Sequence, residues 1–147
     1  MKFINLKFQH FYGPGESADK FISFLIAECL RQVSDPIPMT HGEQIRDFIY
    51  IDDAISALLE LYNHAAALDQ FSEVEVGSAQ GVTIANLAKT IARLTATRRT
   101  LGFGLLPYRP GEPMSLVADH SHLTALGWSP RIGLEDGLNR MIQITKG

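Results

Sequence analysis

Much of what would narrow the function quickly is missing from this chain. It has one cysteine, Cys29, so no disulfide can form within it. A single cysteine also leaves little to build a zinc site from. The five histidines do not share a metal-ligand spacing, and His120 and His122, two apart on an expected helix, point to different faces. No apolar run reaches the ~18 residues of a membrane span, and the start, MKFINLKFQH, lacks the long apolar stretch and small-residue cleavage site of a secretory signal. The cytoplasm is therefore the default expectation, with no membrane partner. Positive charge is not in excess: 13 Lys and Arg stand against 16 Asp and Glu, a net charge of -3. Such a balance gives no support for nucleic acid as a main partner, though two or three well-placed arginines suffice for a small phosphorylated ligand. Neither a P-loop, a G-x-G-x-x-G turn nor a G-x-S-x-G nucleophile elbow is present.

What the chain does have is alternation of strand and helix patterns over 147 residues, enough for one domain. Lys2 to Gln9 reads as a strand stopped by Gly13-Pro14-Gly15. Phe21, Ile22, Leu25, Ile26, Cys29, Leu30 and Val33 recur at helical spacing, and Asp35-Pro36-Ile37-Pro38 ends that helix. Phe48 to Ile51 is a short β-type run leading into a helix with Asp52 and Asp53 at its positive end and Ile55, Leu58, Leu59 and Tyr62 at helical spacing. Phe71 to Val76 alternates as a strand and stops at Gly77. Thr83 caps a helix carrying Ile84, Leu87, Ala88, Ile91 and Leu94 on one face. Residues 98–114 are loop-rich, a short helix over Asp119–Leu126 is closed by Gly127, and Leu134, Leu138, Met141 and Ile142 line a last helix. The order predicts an α/β chain with parallel pairing. A first strand with no element before it suggests the tail of something larger.

Three segments could carry chemistry. His10-Phe11-Tyr12-Gly13-Pro14-Gly15 stands at the C-terminal end of a strand, where open α/β sheets bind ligands. Read plainly, it is a strand terminator with two core aromatics. Arg46, just before the buried β-run, is poised to reach a cleft and grip phosphate oxygens with its planar fork. It could equally be a surface arginine paired with Asp47 or Glu43, with Asp52 and Asp53 as plain helix caps. Arg109 lies between prolines in Leu106-Pro107-Tyr108-Arg109-Pro110-Gly111-Glu112-Pro113, which stiffens its loop either for a ligand or as a rigid crossover.

In this order, "LKFQHFYGPG", "DKFISFLIAECL", "GEQIRDFIYIDDAISALLEL", "VEVGSAQGVTIANLAKTIARL", "LPYRPGEPMSLVADHSHLTALGWSP" and "GLEDGLNRMI" resemble the extended short-chain dehydrogenase/reductases, and within them the nucleotide-sugar epimerases, dehydratases and reductases. The resemblance covers essentially the whole chain. It implies that residues 1–147 are a single C-terminal, substrate-binding portion: the end strands of a Rossmann sheet plus a small mixed α/β subdomain. The N-terminal NAD-binding Rossmann portion, with its G-x-x-G-x-x-G turn and Tyr-x-x-x-Lys pair, would then be absent. No tyrosine here has a lysine four residues on; Tyr12 has Glu16 there and Tyr50 has Ala54. Catalytic residues are accordingly not expected within the chain, and NAD or NADP would be held mainly elsewhere.

Carried over position by position, the resemblance implies that Phe11 and Tyr12 wall the cofactor cleft and that a nucleotide-diphosphate sugar is bound by His10, Lys20, Phe21, Met39, Arg46 and Arg109. The two arginines would clamp the pyrophosphate. His10 stands where many members have asparagine, Met39 where they often place an aromatic under the base, and Glu75 where they usually show asparagine. A carboxylate at 75 would repel a diphosphate unless it faces elsewhere or is paired. The resemblance is weakly towards enzymes making deoxy sugars for bacterial surface polysaccharides, and intact members often form homodimers. Two other readings stand beside an enzyme portion: a free-standing sugar-nucleotide-binding module without chemistry, and a non-functional truncated product.

Overall fold

In the computed structural model, which describes residues 2–147, the strands fall into small, mostly parallel sheets flanked by helices. Strand β1 (Phe3–Phe8) pairs in parallel with β5 (Phe71–Val76). After the single residue Gln9 the chain continues as β2 (His10–Tyr12), parallel to β4 (Ile45–Tyr50). Strand β6 (Gly81–Thr83) joins β4 antiparallel and β8 (Ser115–Leu116) joins it in parallel. A small parallel pair, β3 (Ile37–Pro38) with β7 (Leu101–Gly102), stands apart. Parallel pairing is thus the rule, with β6 the exception. The reason is local: the turn at residues 77–80 reverses the chain between β5 and β6.

Strand β4 is central and buried from Arg46 to Tyr50, and its two faces serve different cores. Phe48 and Tyr50 face helices α1 (Phe21–Leu30), α3 (Ile84–Thr95) and α5 (Leu134–Lys146), which pack on one another. Ile49 faces a second core made by α2 (Ile51–Asn63), α4 (Ser121–Ala125) and the β1–β5 pair, with Val74, Val76, Leu123 and Trp128. Period-2 alternation with burial on both sides accounts for the unbroken apolar run Phe48-Ile49-Tyr50-Ile51. Of these, Ile51 already opens α2. Among the described residues no helix is long and apolar enough to cross a membrane.

Three expectations shift. The helix α1 stops at Leu30, several residues before Pro36. The Glu28 carbonyl, one of its last, accepts from the Arg31 amide and from Arg99, so the helix closes on a side chain rather than on a proline. The stripe Ile55, Leu58, Leu59 and Tyr62 on α2 faces outward, with Tyr62 81% exposed; the inward face is Asp53, Ala54, Ala57 and Leu61. Ala54 and Ala57 let α2 lie close to β2 and β4, with Leu61 filling the core beyond them. The loop-rich stretch 98–114 contains one short ordered piece, β7.

Two expectations hold in detail. Thr83 caps α3, its hydroxyl accepting from the Asn86 amide at 3.1 Å. Gly127 closes α4 with φ of 87°, its amide bonded to the Thr124 carbonyl and the Trp128 amide to that of Leu123.

Arg99 is the tie between α1 and the loop that follows α3. Its side chain is 2% exposed and donates to the Glu28 carboxylate at 2.5 Å, the Asp35 carboxylate at 3.0 Å and the Asp35 backbone carbonyl at 2.9 Å. The Arg99 bond holds the Glu28 carboxyl below its ordinary range, with Arg31 adding to the effect. A depressed carboxylate stabilises the fold fully above its unfolded-state pKa, and that contribution is lost as pH falls through the folded value. We expect Arg99→Ala to lower stability by ~2 kcal/mol, because it removes charged hydrogen bonds to Glu28 and Asp35 together with the packing of a buried side chain. We expect it also to flatten the acid limb of the stability profile, both read by urea unfolding between pH 3 and 7.

Candidate functional site

Two adjoining cavities meet where β1 gives way to β2. The larger, of about 520 Å³, is bordered by every expected contact with the sugar nucleotide except Lys20: His10, Phe21, Met39, Arg46 and Arg109. The smaller, of about 280 Å³, is bordered by Phe11, Tyr12, Glu16 and Lys20. His10, Phe21 and Phe48 border both. Lys20, which precedes α1, thus comes to the smaller space and not to the larger one.

Each side chain is aimed by its element. Arg46 is the second residue of β4, on the same face as Phe48, and its side chain is 7% exposed. The surface reading of Arg46 therefore does not hold, nor does its pairing with Asp47 or Glu43. Instead its guanidinium donates to the Glu112 carboxylate at 2.6 Å and to the Ile45 carbonyl at 2.8 Å. Glu43 is engaged by Tyr108, whose hydroxyl donates to it at 3.1 Å and accepts from its amide at 3.2 Å. That bond, with the Leu106 amide on the Met39 carbonyl at 3.0 Å, fastens the Arg109 loop along the segment after β3. Arg109 itself is exposed, and its side chain makes no ion pair among the described residues. One mouth of the cleft thus holds an arginine already neutralised and an arginine open to a ligand.

His10 stacks obliquely near Phe48, ring centroids 5.4 Å apart. Its pKa is lowered, first by burial and then by the Arg46 charge, so the imidazole is neutral at pH 7 and offers one donor and one acceptor. Met39 is 5% exposed and lays its thioether in the wall.

The two residues expected at a cofactor part company. The Phe11 ring is 53% exposed at the edge of the smaller cavity. Tyr12 is 2% exposed; its ring packs edge-on against Tyr50, centroids 5.5 Å apart, and its hydroxyl donates to the Leu134 carbonyl at 3.2 Å. A Cβ at Gly137 would run into that hydroxyl, so α5 lies against Tyr12 only because residue 137 is glycine. Tyr12 is a core residue with a satisfied hydroxyl, and the plain reading of it as a core aromatic is the one the structure supports. At the smaller cavity this leaves one exposed ring and one buried one. Phe11 and Tyr12 by themselves do not make a site for a whole NAD.

Glu75 does not face the cleft. Its carboxylate accepts from the Asp119 amide at 2.9 Å, and it borders neither cavity. The repulsion expected from a carboxylate at this position therefore does not arise there.

Sequence reasoning missed the two carboxylates that hold the site's frame. Asp47, 0% exposed, points away from Arg46 across β4. Its oxygens accept from the amides of Ser78 at 2.8 Å, Ala79 at 2.9 Å and Ala118 at 3.1 Å, and from the Ser78 hydroxyl. Asp53 is not a plain helix cap: it accepts from the amides of Arg131 at 3.0 Å and Ile132 at 2.8 Å, fixing the entry to α5. Glu112 was also passed over. The signal for Asp47 was available, since a charge beside Arg46 on a doubly buried strand needs its own partner on the opposite face.

The comparisons with known proteins agree with this architecture. Residues 1–77 match the model of the NAD dependent epimerase/dehydratase family. The chain belongs to that family. It is 30% identical over 145 residues to the CDP-abequose synthase of Salmonella typhimurium, covering 97% of this chain and 48% of that protein. Among solved structures, MoeE5 in complex with UDP-glucuronic acid and NAD superposes with a TM-score of 0.82 at 31% identity, over 99% of this chain and 47% of that one. The UDP-glucose 4-epimerase of Thermotoga maritima, at 24% identity and a TM-score of 0.84 over 99% and 46% of the two chains, shows the shared fold. The chain spans about half the length of the curated relatives it matches.

Asp47→Asn sets an amide N–H₂ among backbone donors. We expect a loss of ~2 kcal/mol in urea unfolding and faster amide exchange at Ser78, Ala79 and Ala118.

Proposed function

We propose that this chain is the nucleotide-sugar-binding part of an NAD(P)-dependent epimerase, dehydratase or reductase, and that its larger cleft holds a nucleoside diphosphate through Arg46 and Arg109. The observation that supports this is that two arginines, one from a central strand and one from a proline-braced loop 63 positions later, border one cleft. Family membership and the similarity to nucleotide-sugar enzymes support it. Between the arginines a diphosphate gains charge-assisted, partly bidentate hydrogen bonds. The Met39 thioether and the apolar rim can pack on the ring face of the base, and neutral His10, where the two cavities meet, offers a hydrogen bond to phosphate or sugar. Bonds of this kind, remote from the reacting carbon, hold it in register for chemistry.

In this reading NAD or NADP supplies the hydride chemistry and is bound mainly by groups outside these 147 residues, with the exposed Phe11 ring as the contribution from this side. No residue here is assigned a proton-transfer role.

Isothermal titration of the chain with UDP-, CDP- and dTDP-glucose tests the assignment. Binding by at least one is expected. Arg46→Ala and Arg109→Ala should each weaken it about 10- to 100-fold, the worth of a charged hydrogen-bond pair. Absence of heat with all three, from a protein that is folded by circular dichroism, overturns the reading.

A further inference from the structure

Arg46 is occupied before any ligand arrives. It is nearly sealed in the wall, and of its five N–H donors one is spent on the Ile45 carbonyl and one on the Glu112 carboxylate. Glu112 follows Pro110-Gly111 and precedes Pro113, its amide bonded back to the Arg109 carbonyl at 3.0 Å, so it sits on a short, stiff arch. That arch carries both Arg109 and the carboxylate that neutralises Arg46. Its flanks are pinned, by Leu106 on the Met39 carbonyl and by the Ile45 amide on the Met114 carbonyl at 2.8 Å. Glu112 is 23% exposed at the side chain, open to the cleft it borders.

We propose that Glu112 is an internal competitor for the anion site: it fills the Arg46 fork in the free protein and must be displaced, or tolerated as a like charge, when a diphosphate binds. The proposal rests on the diphosphate reading of the cleft. Its physical basis is the short-range repulsion between two anions sharing one guanidinium in a partly desolvated wall, where charges interact more strongly than in water. The effect is a threshold, not a preference among diphosphates. Every anion that uses Arg46 loses the same increment, so inorganic phosphates, which have only the arginines to hold, fall below useful affinity. A nucleotide, which adds contacts along Met39 and the rim, stays above it.

A bracing role for Glu112 predicts the opposite sign. If its carboxylate merely holds the Arg46 fork in a productive pose, removing the charge weakens anion binding. The two roles are therefore separated by direction alone.

The test is titration of inorganic pyrophosphate and of UDP into the wild-type chain, Glu112→Gln and Glu112→Ala, with thermal melts to confirm that each variant is folded. Glutamine keeps a neutral hydrogen bond to Arg46; alanine removes it. We expect pyrophosphate and UDP to bind Glu112→Gln about tenfold tighter than wild type. The gain should vanish when Arg46→Ala is combined with it. Unchanged or weaker binding of both probes by both folded variants, with UDP still bound by wild type, overturns the competitor role and leaves the diphosphate reading standing. If no form binds either probe, both fall together.

Discussion

The buried carboxylate of Asp47 is the constraint from which the cleft takes its shape. An ionisable group with no exposure must find partners within the protein, and Asp47 finds three backbone amides and a hydroxyl on two separate segments. Those segments are the turn after β5 and the stretch between β8 and α4. Tied to one side of β4, they fix which way that strand is turned, and the period-2 alternation then points residue 46 into the cleft. A side chain that never meets a ligand thus decides where the cleft's best-buried guanidinium is aimed. Gly77 belongs to the same device, because a Cβ there would strike both the Asp47 carboxylate and Ala118.

Much of the element order was legible because it depends on near-neighbour patterns. The alternation in Phe71–Val76, the Thr83 cap and the Gly127 closure need only a few residues to be recognised, and each stands where its pattern puts it. Direction was harder. Ile55, Leu58, Leu59 and Tyr62 form a clean helical stripe, yet the helix buries its alanines, since close approach to β2 and β4 favours small side chains. Periodicity reports that a helix has an apolar face; it does not report which face the core takes when a second face is small and apolar too.

The site was legible in part for a similar reason. Arg46 and Arg109 could be picked out by residue type and by the prolines around one of them, and both border one cleft. Their partners could not, because Glu112 lies 66 positions from Arg46 and pairs with it only through the arch. Tyr12 is held in the core through a relation just as distant, its hydroxyl meeting the Leu134 carbonyl 122 positions on. Short motifs carry local geometry; the charge state of a site is set by contacts across the whole chain.

The acidic residues show how this changes the chemistry of the cleft. By position in the chain, Glu75 looked like the carboxylate that would oppose a bound diphosphate, yet it is committed to the Asp119 amide and stands outside the cavity. Glu112, in a loop whose proline and glycine content draws attention to shape, is the one that pairs with Arg46 at the cleft. The cleft therefore keeps one negative charge, but on a loop and not on a strand. A carboxylate on a β-strand is fixed by the ladder and could only repel, whereas one on an arch can yield its place to a phosphate by a small rotation of the side chain. The same count of charges, moved from strand to loop, turns a permanent barrier into an exchangeable partner for Arg46.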